Sequence, residues 1–139
     1  DSLGALPLPD DRGAMKHFLE ALTWHTDCGD CIMIYPEAHI WPFYTGIRPF
    51  KDTSFRYPVQ QKLPVFSLTN TYQKRRYSKK PKMVTYIDGP FYADASLPVR
   101  QQKKMLRDQV YETMKKRAKN NTVVCVRYEK MTGDLGETL

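Results

Sequence analysis

The sequence predicts an α/β domain with a mixed, largely parallel β-sheet flanked by helices, its elements in the order β-α-β-loop-β-β-α-β. Short apolar or β-branched runs at residues 3–8, 31–35, 63–68, 83–87 and 123–128 have the composition of strands. Two intervening segments carry apolar residues at helical spacing. Strands alternating with helices favour an α/β domain over a sandwich or a bundle, and no internal repeat argues otherwise. At 139 residues the chain is long enough to bury a core without metal or disulfide staples, so a single domain over 1–139 is expected.

Each element has its own reason. The run at 3–8 opens the chain as a short strand. Asp10 and Asp11 then offer helix-initiating carboxylates before Met15, Phe18, Leu19 and Leu22, which fall at i, i+3, i+4 and i+7. His17 is off that stripe and reads as a surface histidine. Residues 31–35 are apolar and too few for a helix, which suits the centre of a parallel sheet. Residues 41–58 hold Trp41, Phe43, Tyr44, Phe50, Phe55 and Tyr57 among prolines, the composition of a long, packed functional loop. A helix begins near Ser96 with Pro98 in its first turn, and Val99, Leu106, Val110 and Met114 share one face.

Cysteine usage and charge narrow the setting. Cys28, Cys31 and Cys125 are an odd number without a disulfide framework, as expected in a reducing cytoplasm. Cys28-Gly29-Asp30-Cys31 has C-x-x-C spacing, but no second ligand pair accompanies it and it precedes an apolar run. A turn at Gly29 leading into a buried Cys31 is therefore expected, with no metal site. Lys and Arg number 22 against 15 Asp and Glu, a net charge of +7 that favours a polyanion, an anionic lipid surface or a phosphorylated substrate. The densest charge is Lys74, Arg75, Arg76, Lys79 and Lys80, around Tyr77. This cluster suits contact with an anionic membrane, or else is a solvated hairpin; none of the common nucleic-acid-binding modules shows its signature. No apolar run approaches the roughly 18 residues of a spanning helix, so membrane contact would be peripheral. An opening on Asp1 with no charged leader reads as a fragment of a longer protein.

The segment richest in chemistry runs from Ile32 to Lys51. An apolar run that ends on Pro36-Glu37 brings an ionisable group to the mouth of a buried strand, where ligands bind in open α/β sheets. Ile34-Tyr35-Pro36-Glu37, then Pro49-Phe50-Lys51, then Leu63-Pro64-Val65-Phe66 resemble, in order and spacing, three successive blocks of the 1-acylglycerol-3-phosphate acyltransferase (glycerolipid acyltransferase) family. Leu3-Gly4-Ala5-Leu6-Pro7 resembles a segment that precedes them, so the likeness runs from about Leu3 to about Gly89.

That resemblance implies the C-terminal part of a glycerolipid-acyltransferase-like domain. Such a protein moves a fatty acyl group from acyl-CoA or acyl-acyl-carrier protein to a lysophosphatidate-like or glycerol phosphate acceptor on the cytoplasmic side of a membrane, with no cofactor beyond the acyl donor. Where the family has Glu-Gly-Thr-Arg, this chain has Glu37-Ala38-His39-Ile40, and Arg48 is the nearest replacement for the phosphate-binding arginine. The implied acceptor site is Glu37, His39, Arg48 and Lys51. The family's His-x-x-x-x-Asp catalytic block belongs well upstream, so no catalytic residue is expected in this chain. His25 and Asp30 have that spacing but lie in a turn too near Glu37. The alternative is a non-enzymatic basic module that binds nucleic acid or an anionic surface.

Overall fold

A computed structural model describes residues 6, 9, 11–37 and 39–129, and the chain divides into two compact units, Asp1–Tyr35 and Pro36–Leu139. In the first unit α1 spans Arg12–Asp27. Asp11 caps it, its Oδ1 accepting the Ala14 N–H at 2.7 Å, and Leu22 is its buried residue. His17 lies exposed on this helix, as expected, with Nδ1 3.4 Å from Glu20 Oε2. The helix stops at Gly29, whose φ of 84° lets the chain turn back. There the Asp30 N–H donates to the His25 carbonyl at 2.9 Å and Asp30 Oδ2 meets His25 Nδ1 at 2.8 Å.

The second unit is built on one antiparallel hairpin. Strand β1 (Val65–Gln73) pairs with β2 (Lys82–Phe91), Leu68 opposite Ile87 and Tyr72 opposite Met83, with an irregularity between Val65 and Ser67. Strand alternation sends Val65, Ser67, Thr69 and Thr71 to one face, where the last three are buried. A 3₁₀ turn (Thr53–Phe55), α2 (Arg56–Gln61) and α3 (Val99–Ala118) complete the unit. Phe50, Phe55, Val59, Leu106, Val110 and Met114 form its core, with Ile47, Val65, Phe91 and Tyr111 packed against them. Pro98 is the N-cap of α3, one position before the helix it was expected to open, and Val99 is exposed rather than on the buried face. Before it, Asp94 Oδ1 accepts from Ser96 Oγ at 2.6 Å and from the Ser96 N–H at 3.0 Å, and these bonds hold the Asp94 carboxyl below its usual pKa.

One ion pair ties β2 to α3. The Arg117 guanidinium grips Asp88 through Nη2 at 2.6 Å and Nε at 2.9 Å, and lies over the Tyr86 ring with its carbon 4.7 Å from the centroid. The hydrogen bonds from Arg117 lower the Asp88 pKa, partial burial opposes them, and the arginine's charge adds to the lowering.

The expected mixed, largely parallel sheet is corrected by this architecture: among the described residues there is one sheet of two antiparallel strands. The run at 3–8 lies outside the described residues except for Leu6. Residues 31–35 are not a strand: Ile32, Met33, Ile34 and Tyr35 are all exposed, Tyr35 at 75%, and a β-prone run becomes a strand only where a partner accepts its hydrogen bonds. Cys31 is exposed too, not buried. Residues 123–128 are irregular. The Thr122 N–H does donate to the Tyr72 carbonyl at 3.0 Å, but the amides of Tyr72 in β1 and of Lys74 just after it go to the side chains of Asn121 and Thr122, so no ladder propagates. The long loop is folded in its second half, where the 3₁₀ turn and α2 begin.

Candidate functional site

The loop from Pro36 to Lys51 is organised by its anchors. Ile47 packs on the core and Phe50 lies within it, so the intervening Arg48 is held at a fixed point. Glu37 Oε2 accepts the Arg48 backbone N–H at 2.9 Å and closes the loop at its base. Between them a tight turn carries the Tyr44 N–H to the Trp41 carbonyl at 3.1 Å, with Pro42 at its second position and Phe43 at φ 59° in its third.

Aromatic rings cluster at this turn. Trp41 stacks on Tyr128 with centroids 4.9 Å apart, and Tyr44 meets both edge-on at 5.2 and 5.6 Å. The Tyr128 hydroxyl donates to the Pro42 carbonyl at 2.8 Å. The Tyr44 ring lies so close over Gly46 that a Cβ there would come within 2.7 Å of its hydroxyl oxygen, which explains a glycine at that point.

Arg48 lies on the side of this cluster. Its guanidinium carbon is 4.3 Å from the centroid of Trp41, a cation–π contact, and its Nη1 is buried with no hydrogen-bond partner among the described residues. The residue as a whole stays partly exposed, so the rest of a guanidinium braced on an indole keeps the planar donor geometry that suits an oxyanion such as phosphate or carboxylate.

The four expected acceptor residues are therefore only partly assembled. Glu37 and Arg48 come together, and the Glu37 carboxylate acts as a loop acceptor. His39 donates its backbone N–H to the Glu37 carbonyl at 2.8 Å while its side chain is exposed, and Lys51 is exposed three residues beyond Arg48. Lys74, Arg75, Arg76, Lys79 and Lys80 are all exposed in the connection between β1 and β2, where Arg76 lies over the Tyr77 ring at 5.3 Å.

Sequence reasoning missed two participants. Tyr128 belongs to a run with the composition of a strand, and its ring instead completes the aromatic cluster. Asn121 carried no signal, yet its side chain accepts the Tyr72 N–H at 2.7 Å and donates to the Thr45 carbonyl at 3.1 Å and to the Ala118 carbonyl at 2.7 Å. Among the described residues no three His, Cys, Asp or Glu side chains gather as a metal site would require, and no helix is long and apolar enough to cross a membrane.

Fold and site together define the second unit as a helix-backed antiparallel hairpin carrying an arginine-bearing aromatic loop. No protein-family model, curated protein or solved structure matches the chain.

Proposed function

We propose that this chain carries the acceptor-binding part of a glycerolipid-type acyltransferase, which moves a fatty acyl group from acyl-CoA or acyl-acyl-carrier protein to a lysophospholipid or glycerol phosphate at the cytoplasmic face of a membrane. The observation that carries this reading is Arg48, a partly exposed residue whose guanidinium is set on Trp41. Acyl transfer to an alcohol needs the acceptor held in place, a base for its proton and donors for the developing oxyanion. On this reading Arg48 binds the acceptor phosphate, Lys51 and His39 add positive or hydrogen-bonding groups at its edge, and Glu37 sets the position of Arg48 through the backbone. Proton transfer falls to none of these four.

Titration of the chain with glycerol 3-phosphate and with glycerol tests the assignment. The phosphorylated ligand is expected to bind and glycerol is not, and Arg48→Ala should weaken the phosphorylated ligand by about tenfold or more, with Arg48→Lys intermediate. Equal affinity of Arg48→Ala and the parent chain for glycerol 3-phosphate would remove Arg48 from this role.

The exposed cations at 74–80 favour a second reading, a non-enzymatic module that binds nucleic acid. It requires affinity for a duplex or single strand that falls steeply with salt.

A further inference from the structure

The β1–β2 hairpin has a second face that nothing in the core uses. Phe66, Leu68, Met83 and Ile87 project from it and are 50%, 46%, 58% and 66% exposed, and Phe43, 44% exposed, adjoins it through a ring contact with Tyr72 at 5.4 Å. Single exposed apolar residues are ordinary; a face made of them in register, with Leu68 opposite Ile87 and Tyr72 opposite Met83, is not. The polar pair within this face is bonded across the strands, Thr85 Oγ1 donating to Asn70 Oδ1 at 2.6 Å, which lowers the cost of covering it.

The same hairpin ends in Lys74, Arg75, Arg76, Lys79, Lys80 and Lys82, and no acidic residue occurs anywhere from 63 to 87. Tyr77, 87% exposed, stands among these cations with the ring-and-hydroxyl chemistry that suits a lipid headgroup layer. Apolar face and cationic tip are thus parts of one hairpin.

We propose that this hairpin is a docking surface for an anionic phospholipid bilayer, with Phe66, Leu68, Met83 and Ile87 entering the headgroup boundary and the tip cations held at the lipid phosphates. Charge selects this occupant. A second copy would bring another net charge of +7 to the same place, and a nucleic acid would leave the aliphatic side chains without a partner. The proposal deepens the membrane-surface part of the acyltransferase reading, but vesicle binding needs neither acyl donor nor acceptor, so either can fail without the other.

Co-sedimentation of the 139-residue chain with phosphatidylcholine vesicles, with and without phosphatidylglycerol, tests it. Binding is expected only with phosphatidylglycerol, and Leu68→Ser with Ile87→Ser, which leaves the charge unchanged, should lower that affinity by about tenfold or more. Circular dichroism checks the fold of the double variant, and Ile87→Asn at the most exposed of the four strand positions replaces it if the fold is lost. Unchanged affinity in a folded variant would overturn the proposal by leaving only a charge contact at the tip. So would concentration-dependent self-association that these substitutions abolish, or tighter binding to a DNA duplex than to the anionic vesicles.

Discussion

Thr69 shows how much one atom contributes. Its side chain is buried under α3 and its Oγ1 has no hydrogen-bond partner among the described residues, as is also true of Ser67 Oγ, whereas Thr71 Oγ1 donates to the Val84 carbonyl at 3.1 Å. A buried hydroxyl without a partner has lost its water and gained nothing. Thr69→Val keeps the shape and the strand preference while removing that hydroxyl, and should raise stability by about 1 kcal/mol in denaturant titration. Thr71→Val is expected to give no such gain, because it removes a satisfied bond. The same scale explains what was legible in the site. Glu37 stands out because an ionisable residue after an apolar run is a local signal, and Arg48 because it is the nearest arginine to the position that the family resemblance implies. Asn121 has none, since its partners Tyr72 and Thr45 lie 49 and 76 residues away.

Among the elements, the two long helices and the two hairpin strands were legible, whereas α2, which begins inside the expected loop, and the sheet topology were not. Periodicity within a helix is a local property, and α1 and α3 follow from it. A strand needs a partner, and apolar character at 31–35 and 123–128 says nothing about whether one is present. The hairpin strands were recognised but cut short, because Thr69, Asn70 and Thr71 lack the apolar character expected of a buried strand, although Thr69 and Thr71 are its most buried residues. The hairpin also depends on Gly89, which has φ 132° and whose added Cβ would lie 2.8 Å from the Val65 carbonyl oxygen. Gly89→Ala should therefore cost about 2 kcal/mol or more, read as a lower denaturation midpoint. The link from β2 to α3 has a pH signature. Asp88 is held below its ordinary pKa of 3.8, chiefly by the hydrogen bonds from Arg117, so the folded state binds that proton less readily than the unfolded chain. The resulting stability is fully present above the ordinary value and is lost as the pH falls through the lowered one. Asp88→Asn should lower the denaturation midpoint at neutral pH and reduce the further loss on acidification below pH 4, measured as midpoints across that range.

At the scale of the second unit, the site loop, the hairpin and α3 meet at one side chain. Asn121 follows the C-terminus of α3 (Val99–Ala118) and bonds back to its last residue through the Ala118 carbonyl, to β1 through the Tyr72 N–H and to the site loop through the Thr45 carbonyl. Its neighbour Thr122 repeats the attachment, to β1 through the Tyr72 carbonyl and to the residue after it through the Lys74 N–H. The chain beyond is thereby led to Tyr128, which stacks on Trp41, the ring that supports Arg48. The site is consequently coupled to the hairpin by these hydrogen bonds as well as through the core, where Ile47 and Phe50 of the loop pack in one cluster with Val65 and Phe91. Asn121→Ala should leave the Tyr72 amide and the Thr45 carbonyl unpaired and cost about 2 to 3 kcal/mol in denaturant titration. It should also weaken binding of glycerol 3-phosphate without touching the ligand, because Tyr128 and Trp41 lose their fixed approach to Arg48. Asn121→Asp separates the two effects: it retains the acceptor for Tyr72 and loses the donors to Thr45 and Ala118. Stability recovered in part with ligand affinity still reduced would locate the coupling in the bonds that the amide donates to Thr45 and Ala118, whereas full recovery of both would refute it.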